Sequence, residues 1–483
     1  MALKHGAYIQ EEATGLTVPR VGDSSVQVVV GCAPINMVKD GASKINVPIL
    51  ANNATEAMKE LGYVPDFSYS LCQTMYLSAN VYPVGPIVYI NVLDPSKHTK
   101  DLVSKSYQVN DKQAMIDSIG VIADSTLSVK SGDTTGVLDT DFTVSFDSTT
   151  GYAIITLIAG GKLEKATTLT VSGKALDPTL VTAVDIVGAV DTATGKETGI
   201  QVIRQVYPKL GIVPGLLLAP GYSQIPEVGL ALTAKASLLN GVYRAFALLD
   251  LDTTEGHARK YTDVKTEKEK SGYTSEFSAS FWPCSSIDDM IFAKSAVAAC
   301  LMEYIDTAAD NVPYQSPSNH MLGTTGECLA DGTEILLDQD QANTVNSYGV
   351  VTALNQNGFR LWGNYTNAYP ASGDAKDLWI PVRRMFNWQG NTFINTYFVK
   401  VDNPMNKKLI QDIVDSENVR CNSYAPDKWA GASIEYLESD NPLTDILAGK
   451  ITFRQHIAPY TPAQDIENIL NYDIDTLQAA LQG

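Results

Sequence analysis

Two carboxylates and an imidazole come close together at Asp250, Asp252 and His257, directly after the apolar run Ala245-Phe246-Ala247-Leu248-Leu249. Such a set could do general acid–base work. The position suits it, because ligands of open α/β sheets bind at the carboxyl ends of the strands. The plainer account is that polar residues end a buried strand and that Thr253-Thr254-Glu255-Gly256 is an ordinary loop. That account is preferred, since nothing nearby nominates a nucleophile or an oxyanion hole.

Other chemistry is thinly supplied. The chain has no Walker A, GxGxxG, GxSxG or HExxH pattern. Its five histidines, His5, His98, His257, His320 and His456, are scattered, so neither a His-rich metal site nor a cofactor is expected. The run Lys265-Thr266-Glu267-Lys268-Glu269-Lys270 could be a docking patch, but its alternating signs read better as a solvated loop. Trp362, Trp379, Phe386 and Trp388 could stack on a sugar or base, although core packing explains them more simply. Arg383-Arg384 could face an acidic partner or pair internally, and the sequence does not choose.

The elements that would position these residues belong to a large, acidic chain. Its 483 residues suggest two to four domains. With 45% hydrophobic and 18% charged residues it can bury a large core. A net charge of −19 argues against nucleic-acid binding, which needs a basic footprint. No apolar run approaches the roughly 20 residues that span a bilayer, so no membrane insertion is expected. The first residues lack the apolar core of a secretory signal. The six cysteines show no CxxC spacing and read as reduced core thiols.

Along the chain, residues 1–20 read as an extended arm, with a strand-like Gly6-Ala7-Tyr8-Ile9-Gln10-Glu11-Glu12 followed by Gly15, Pro19 and Gly22. At ~3.3 Å per residue such an arm could reach on the order of 60 Å. Residues 21–100 alternate strand and helix signals: strands at 26–31 and 87–92, a helix at 55–62. Residues 101–199 contain no Trp or Cys and carry short strand-like runs between turn clusters, which predicts an inserted all-β domain. The α/β pattern resumes over 200–349, with strands at 211–220 and 245–250 and helices at 228–239 and about 286–308, the latter capped by Ser286. From about 350 to 462 aromatic-rich strands appear, including 361–365 and 393–401. A helix then opens at Asn403-Pro404 and runs to about 419, and a late strand lies at 451–457. Residues 463–483 could be strand or helix.

Several of these stretches together resemble the tail sheath family of contractile phages and related particles. They are Lys4-His5-Gly6-Ala7-Tyr8-Ile9-Gln10-Glu11, the Pro-Gly-Leu-Leu-Leu-Ala-Pro-Gly-Tyr-Ser order ending at Ser223, residues 245–252, Leu361-Trp362-Gly363-Asn364-Tyr365-Thr366 with Val382-Arg383-Arg384, and residues 449–462. The resemblance covers about 1–95 and 200–483. It implies a multi-domain α/β protein with a subtilisin-like central domain lacking any matching triad, an all-β insert on the outer surface, a conserved α+β C-terminal domain and extended ends. It further implies that residues 1–20 and 463–483 donate strands to neighbouring copies through Tyr8, Ile9, Gln10, Ile466, Ile469 and Leu470.

By the same resemblance the chain is a structural subunit, not an enzyme. It would form stacked, hexameric, helically arranged rings on a tail tube protein, joined to baseplate and tail terminator proteins. Assembly would take place in the bacterial host cytoplasm, and the product would be a virion tail or a tailocin. Lys407, Lys408 and Gln411 are the expected tube-facing residues. The rivals are an α/β hydrolase-type enzyme built around Asp250 and His257, and an acidic bacterial surface protein.

Overall fold

The computed structural model describes residues 24–482. Its centre is an eight-stranded sheet. Across it run Pro48–Ala51, Ile87–Asn91, Gln27–Gly31, Leu216–Leu218, Phe246–Asp250, Ser278–Phe281, Val350–Asn355 and Phe359–Trp362. The six inner strands are parallel, and the two outermost pair antiparallel with their neighbours. Every residue of Gln27–Gly31, Ile87–Asn91 and Phe246–Asp250 is buried, as strands covered on both faces require. That is why these segments read as unbroken apolar runs with no alternation. Helices Leu71–Asn80 and Lys294–Ala308 pack on each other, and Pro226–Ser237 packs against the short helix Ala183–Val187.

The chain enters this sheet through a tight crossing. A Cβ on Gly215 would sit 1.8 Å from the Ser24 carbonyl oxygen, so only glycine fits there.

The insert folds as two small antiparallel sheets. One has the order Thr99–Gln108, Thr168–Leu176, Ser128–Ser131, Thr134–Thr135; the other is Gln113–Ile119, Tyr152–Leu157, Phe142–Phe146. They enclose a core of their own, with Ile116, Val129, Phe142, Ile155, Leu169 and Val171 fully buried. The strands expected over 101–199 thus occupy 99–176. Val181 and Ile186 pack instead into the core of the main sheet.

Three local expectations are corrected. The helix expected from about Ser286 begins at Lys294, because Cys284–Ile287 and Met290–Phe292 form a hairpin turned by Asp288 in a left-handed conformation. The strand expected over 393–401 is the end of the helix Ile380–Tyr397 and the 3-10 turn Phe398–Lys400. Phe393 and Tyr397, one helical turn apart, pack ring against ring there at 4.8 Å and a tilt of 47°. The helix expected to open at Asn403-Pro404 spans Lys407–Ser423, and Asn406 caps it by accepting from the Leu409 N–H at 2.9 Å.

The C-terminal part is built on these two helices. Its small core joins Val312, Met385, Trp388, Cys421 and Trp429. A two-stranded antiparallel sheet, Gly431–Glu435 with Arg454–Ala458, packs on Lys407–Ser423. The architecture is therefore mixed α/β with several separate sheets.

Candidate functional site

The structure separates Asp250 from His257. Asp250 ends its strand buried, and each of its oxygens is occupied. Oδ1 accepts from the Ser295 N–H at 2.8 Å, and Oδ2 accepts from the hydroxyls of Ser295 at 2.5 Å and Ser223 at 2.9 Å. Burial pushes this carboxyl above its ordinary range, against hydrogen bonds that favour the charged form. By accepting from Ser295, Asp250 serves the first turn of Lys294–Ala308, whose own N-cap is an alanine.

His257 pairs elsewhere. Its Nδ1 lies 2.8 Å from Glu267 Oε1 and its Nε2 lies 3.5 Å from Asp252 Oδ2. A cleft of about 600 Å³ opens beside Asp252, between Asp66, Phe67, Thr254, Cys284 and Asp289. Its one thiol, Cys284, is pushed up to about 12 by burial, so it is not a nucleophile near neutral pH. No cluster of three or more potential metal-ligating side chains occurs among the described residues. The arrangement holds the loop after Asp250 in place through the contacts of His257 with Asp252 and Glu267.

The remaining sequence candidates are structural contacts. The run 265–270 is not a solvated loop but lies in the helix Val264–Ser271. Lys268 is buried there and donates to the carbonyls of Tyr348, Gly349 and Tyr369 at 2.9, 3.1 and 3.1 Å. Burial lowers its amine to about 8. The sequence reading missed this role because the acceptors come from loops far away in the chain. Arg383 pairs with Asp377 at 3.1 Å, and Arg384 forms a buried pair with Asp306, so both arginines pair internally. The aromatic set does not converge. Trp388 lies in the C-terminal core, Trp379 packs at a tilt against Tyr365 with ring centroids 4.9 Å apart, and Trp362 donates to Asn343 Oδ1 at 3.0 Å.

One buried acid carries a pH prediction. Glu303 accepts from Gln27 Nε2 at 2.7 Å, while burial, with nearby Asp306, raises it from 4.5 to about 8. The folded protein therefore holds a proton that the unfolded chain releases above 4.5, so stability falls as pH rises from 4.5 to about 8. Glu303→Gln should flatten that slope and raise stability at pH 8 by on the order of a few kcal/mol, measured by urea unfolding across this range.

The C-terminal tail and the C-terminal sheet form the second candidate region. Tyr8, Ile9 and Gln10 lie outside the described residues. At the other end, residues 459–473 have no regular structure and Ile474–Gln482 is a helix. The tail crosses a groove of about 1000 Å³, where Gln464 donates to Tyr365 Oη at 3.0 Å and accepts from Asn364 at 3.4 Å. Beyond it Ile466, Ile469 and Leu470 are 85%, 73% and 86% exposed. Apolar side chains left this open gain nothing from their own molecule.

Among the described residues the sheet of Gly431–Glu435 and Arg454–Ala458 has two strands, so each has an edge that no described strand joins. On Gly431–Glu435 that edge is partly served by Asn418, whose side chain exchanges bonds of 3.0 and 2.9 Å with the Ile434 backbone. The sheet is fastened from below by Glu417, which accepts from Gln389 at 2.7 Å and Gln455 at 2.9 Å and pairs with Arg420. Lys407, Lys408 and Gln411 lie exposed at the start of the same helix.

No protein-family model matches the chain. The tail sheath protein of Burkholderia phage BcepMu is 27% identical over 428 residues, covering 86% of this chain and 85% of that protein. The tail sheath protein of Escherichia phage P2 is 26% identical over 302 residues, 60% of this chain and 69% of its own length. Among solved structures, the PVC sheath complex of an extracellular contractile injection system in its contracted state superposes with a TM-score of 0.58 at 14% identity, covering 99% of both chains. The contracted helical sheath of the anti-feeding prophage gives 0.56 at 14% identity, covering 98% of this chain and all of that one. The solved sheath structures share this fold, and in sequence the chain is similar to the tail sheath proteins of contractile phages over most of its length.

Proposed function

We propose that this protein is the structural subunit of a contractile tail sheath, polymerising helically around a tail tube and contracting to drive that tube through a target cell envelope. The observation that carries the reading is the tail after Pro459. It leaves the body with its apolar residues exposed, beside a two-stranded sheet with open edges. Strand addition to an open edge satisfies backbone groups on both partners. Residues 1–20 of one copy and 463–483 of another would add there, through Tyr8, Ile9, Gln10, Ile466, Ile469 and Leu470. The edge of Arg454–Ala458 is the more open, since Asn418 serves the opposite one.

On triggering, the bodies rotate and bury more surface while the paired arms act as hinges. Stored interface energy then does the work, and no nucleotide is consumed. The six parallel strands serve as a subtilisin-like scaffold without its chemistry, and the protein is not an enzyme. Its partners are copies of itself in stacked hexameric rings, the tube protein, and the baseplate and terminator proteins. It assembles in the host cytoplasm and ends in a virion tail or tailocin. Negative-stain microscopy of the purified chain tests this: helical tubes or rings are expected, and a chain that stays monomeric at millimolar concentration would sink the reading.

The tube-facing surface is Lys407, Lys408 and Gln411. Reversing both lysines with Lys407→Glu and Lys408→Glu should reduce co-sedimentation with tube at least tenfold while sheath polymers still form. Unchanged tube binding would remove this assignment.

A further inference from the structure

Among the described residues the last backbone ladder ends at Ala458, the close of the strand Arg454–Ala458. From Pro459 to Gln464 the chain is fastened differently. Tyr460 Oη donates to the Pro426 carbonyl at 2.9 Å. Gln464 uses both ends of its amide: Nε2 donates to Tyr365 Oη at 3.0 Å, and Oε1 accepts from Asn364 Nδ2 at 3.4 Å. Side chains hold this piece, and no described strand lies beside it. After Gln464 the tail stands in solvent, with Ile466, Ile469 and Leu470 exposed.

The two sides of this clamp differ in firmness. Tyr365 stacks on Tyr369 at 3.9 Å and 7°, while Asn364 is buried and accepts from the Ser316 hydroxyl. That side belongs to the body, next to the strand Phe359–Trp362. The tail side borders open space. The groove of about 1000 Å³ lies between Ser318, Asn343, Asn346 and Trp362 on one wall and Pro462 and Gln464 on the other. Water reaches the exposed Gln464–Tyr365 bond and competes for it, so the clamp opens far more readily than a strand ladder. Pro459 and Pro462 keep the piece extended. Residues 459–464 therefore amount to about 20 Å of chain once freed.

We propose that Gln464, Asn364 and Tyr365 form a releasable latch on the tail. Closed, it keeps residues 459–464 on their own subunit, so that only the chain beyond Gln464 is free to reach out. Open, it lengthens the tail by about 20 Å and widens the range over which its apolar residues meet a strand edge on a second copy. The latch itself rests on contacts within this subunit. Its effect on assembly rests on the reading of the tail as a strand donor. On that reading the closed contact is a brake: it competes with donation, and the tail is given up only where a neighbour's edge offsets the bonds lost.

Chymotrypsin reads the latch in the full-length chain. Tyr472, 77% exposed beyond the clamp, serves as the reference site, while cutting after Tyr460 needs residues 459–464 to be free. Gln464→Leu should raise the initial Tyr460-to-Tyr472 cleavage ratio on the order of tenfold. Tyr365→Phe, which keeps the ring stacking, should raise it about threefold. The double variant should match Gln464→Leu alone, because both changes remove the same contact. A wild-type ratio in Gln464→Leu, or a multiplied ratio in the double variant, would overturn the latch. Sedimentation reads the brake: both single variants should form tubes at a severalfold lower concentration than the wild type. Tubes at the wild-type concentration or above it would overturn the brake even where cleavage rose. A wild-type chain that forms no tubes at all would count against the sheath reading, and the cleavage ratio would still decide the latch.

Discussion

A chain lacking residues 1–20 should fold, stay soluble and fail to form tubes at concentrations where the full chain assembles completely. The expectation of folding rests on the cores that the described residues form by themselves in the main sheet, the insert and the C-terminal helices. Assembly does need it on the proposed reading. Suppose an arm makes about 6 backbone bonds worth a net 0.5–1.5 kcal/mol each; it then contributes roughly 3–9 kcal/mol before ordering costs. Each lost arm also removes the high effective concentration that re-forms a broken contact. Circular dichroism and sedimentation velocity measure the two halves of the expectation. Normal tubes from the truncated chain would mean that body-to-body surfaces suffice and that the arms are incidental.

The second large effect lies in the core. Lys294 Nζ is 0% exposed and pairs with Glu327, itself 3% exposed, while donating to the Ser285 hydroxyl at 2.9 Å. Burial raises the Glu327 carboxyl, and Lys294 and Ser285 hold it down. Lys294→Met would leave an unpaired acid in a dry site, which costs about 3–5 kcal/mol. Replacing both partners, with Lys294→Met and Glu327→Leu, should restore most of that loss, since an apolar pair needs no desolvation. Urea midpoints of the two variants decide the matter. If the double variant is as unstable as the single one, the cost comes from lost packing and not from a stranded charge.

Much of the central sheet was legible in the sequence because strands buried on both faces are simply apolar. Residues 26–31, 87–92 and 245–250 could be read that way. The C-terminal helices were harder. Ile380–Tyr397 buries Arg383, Arg384, Asn387, Gln389 and Asn391, so its apolar stripe is interrupted by polar side chains turned inward. Their partners, such as the Ala245 carbonyl and Glu417, are remote in sequence. A periodicity argument therefore saw aromatic β-formers at 393–401 and read a strand.

The same blindness to distant partners affected the site. Asp250, Asp252 and His257 look like a catalytic set in one dimension. In three dimensions Asp250 turns to Ser223 and Ser295, and His257 turns to Asp252 and Glu267. The C-terminal network of Glu417, Arg420, Gln389 and Gln455 left no linear signal at all, since its members lie on three separate elements.

The insert begins and finishes on neighbouring strands, with Thr99 directly opposite Leu176. Its two junctions with the body are therefore only about 5 Å apart. A module inserted between such close ends asks little of its attachment points, although it also rests on the body where Asn36 donates to the Val121 carbonyl at 3.0 Å and Ile119 packs on the main core. The body would accept a different cargo domain with similarly close termini, or a short turn in its place, without re-setting any strand of the main sheet. Variation between kindred particles can accumulate at this port while the machinery beneath stays unchanged.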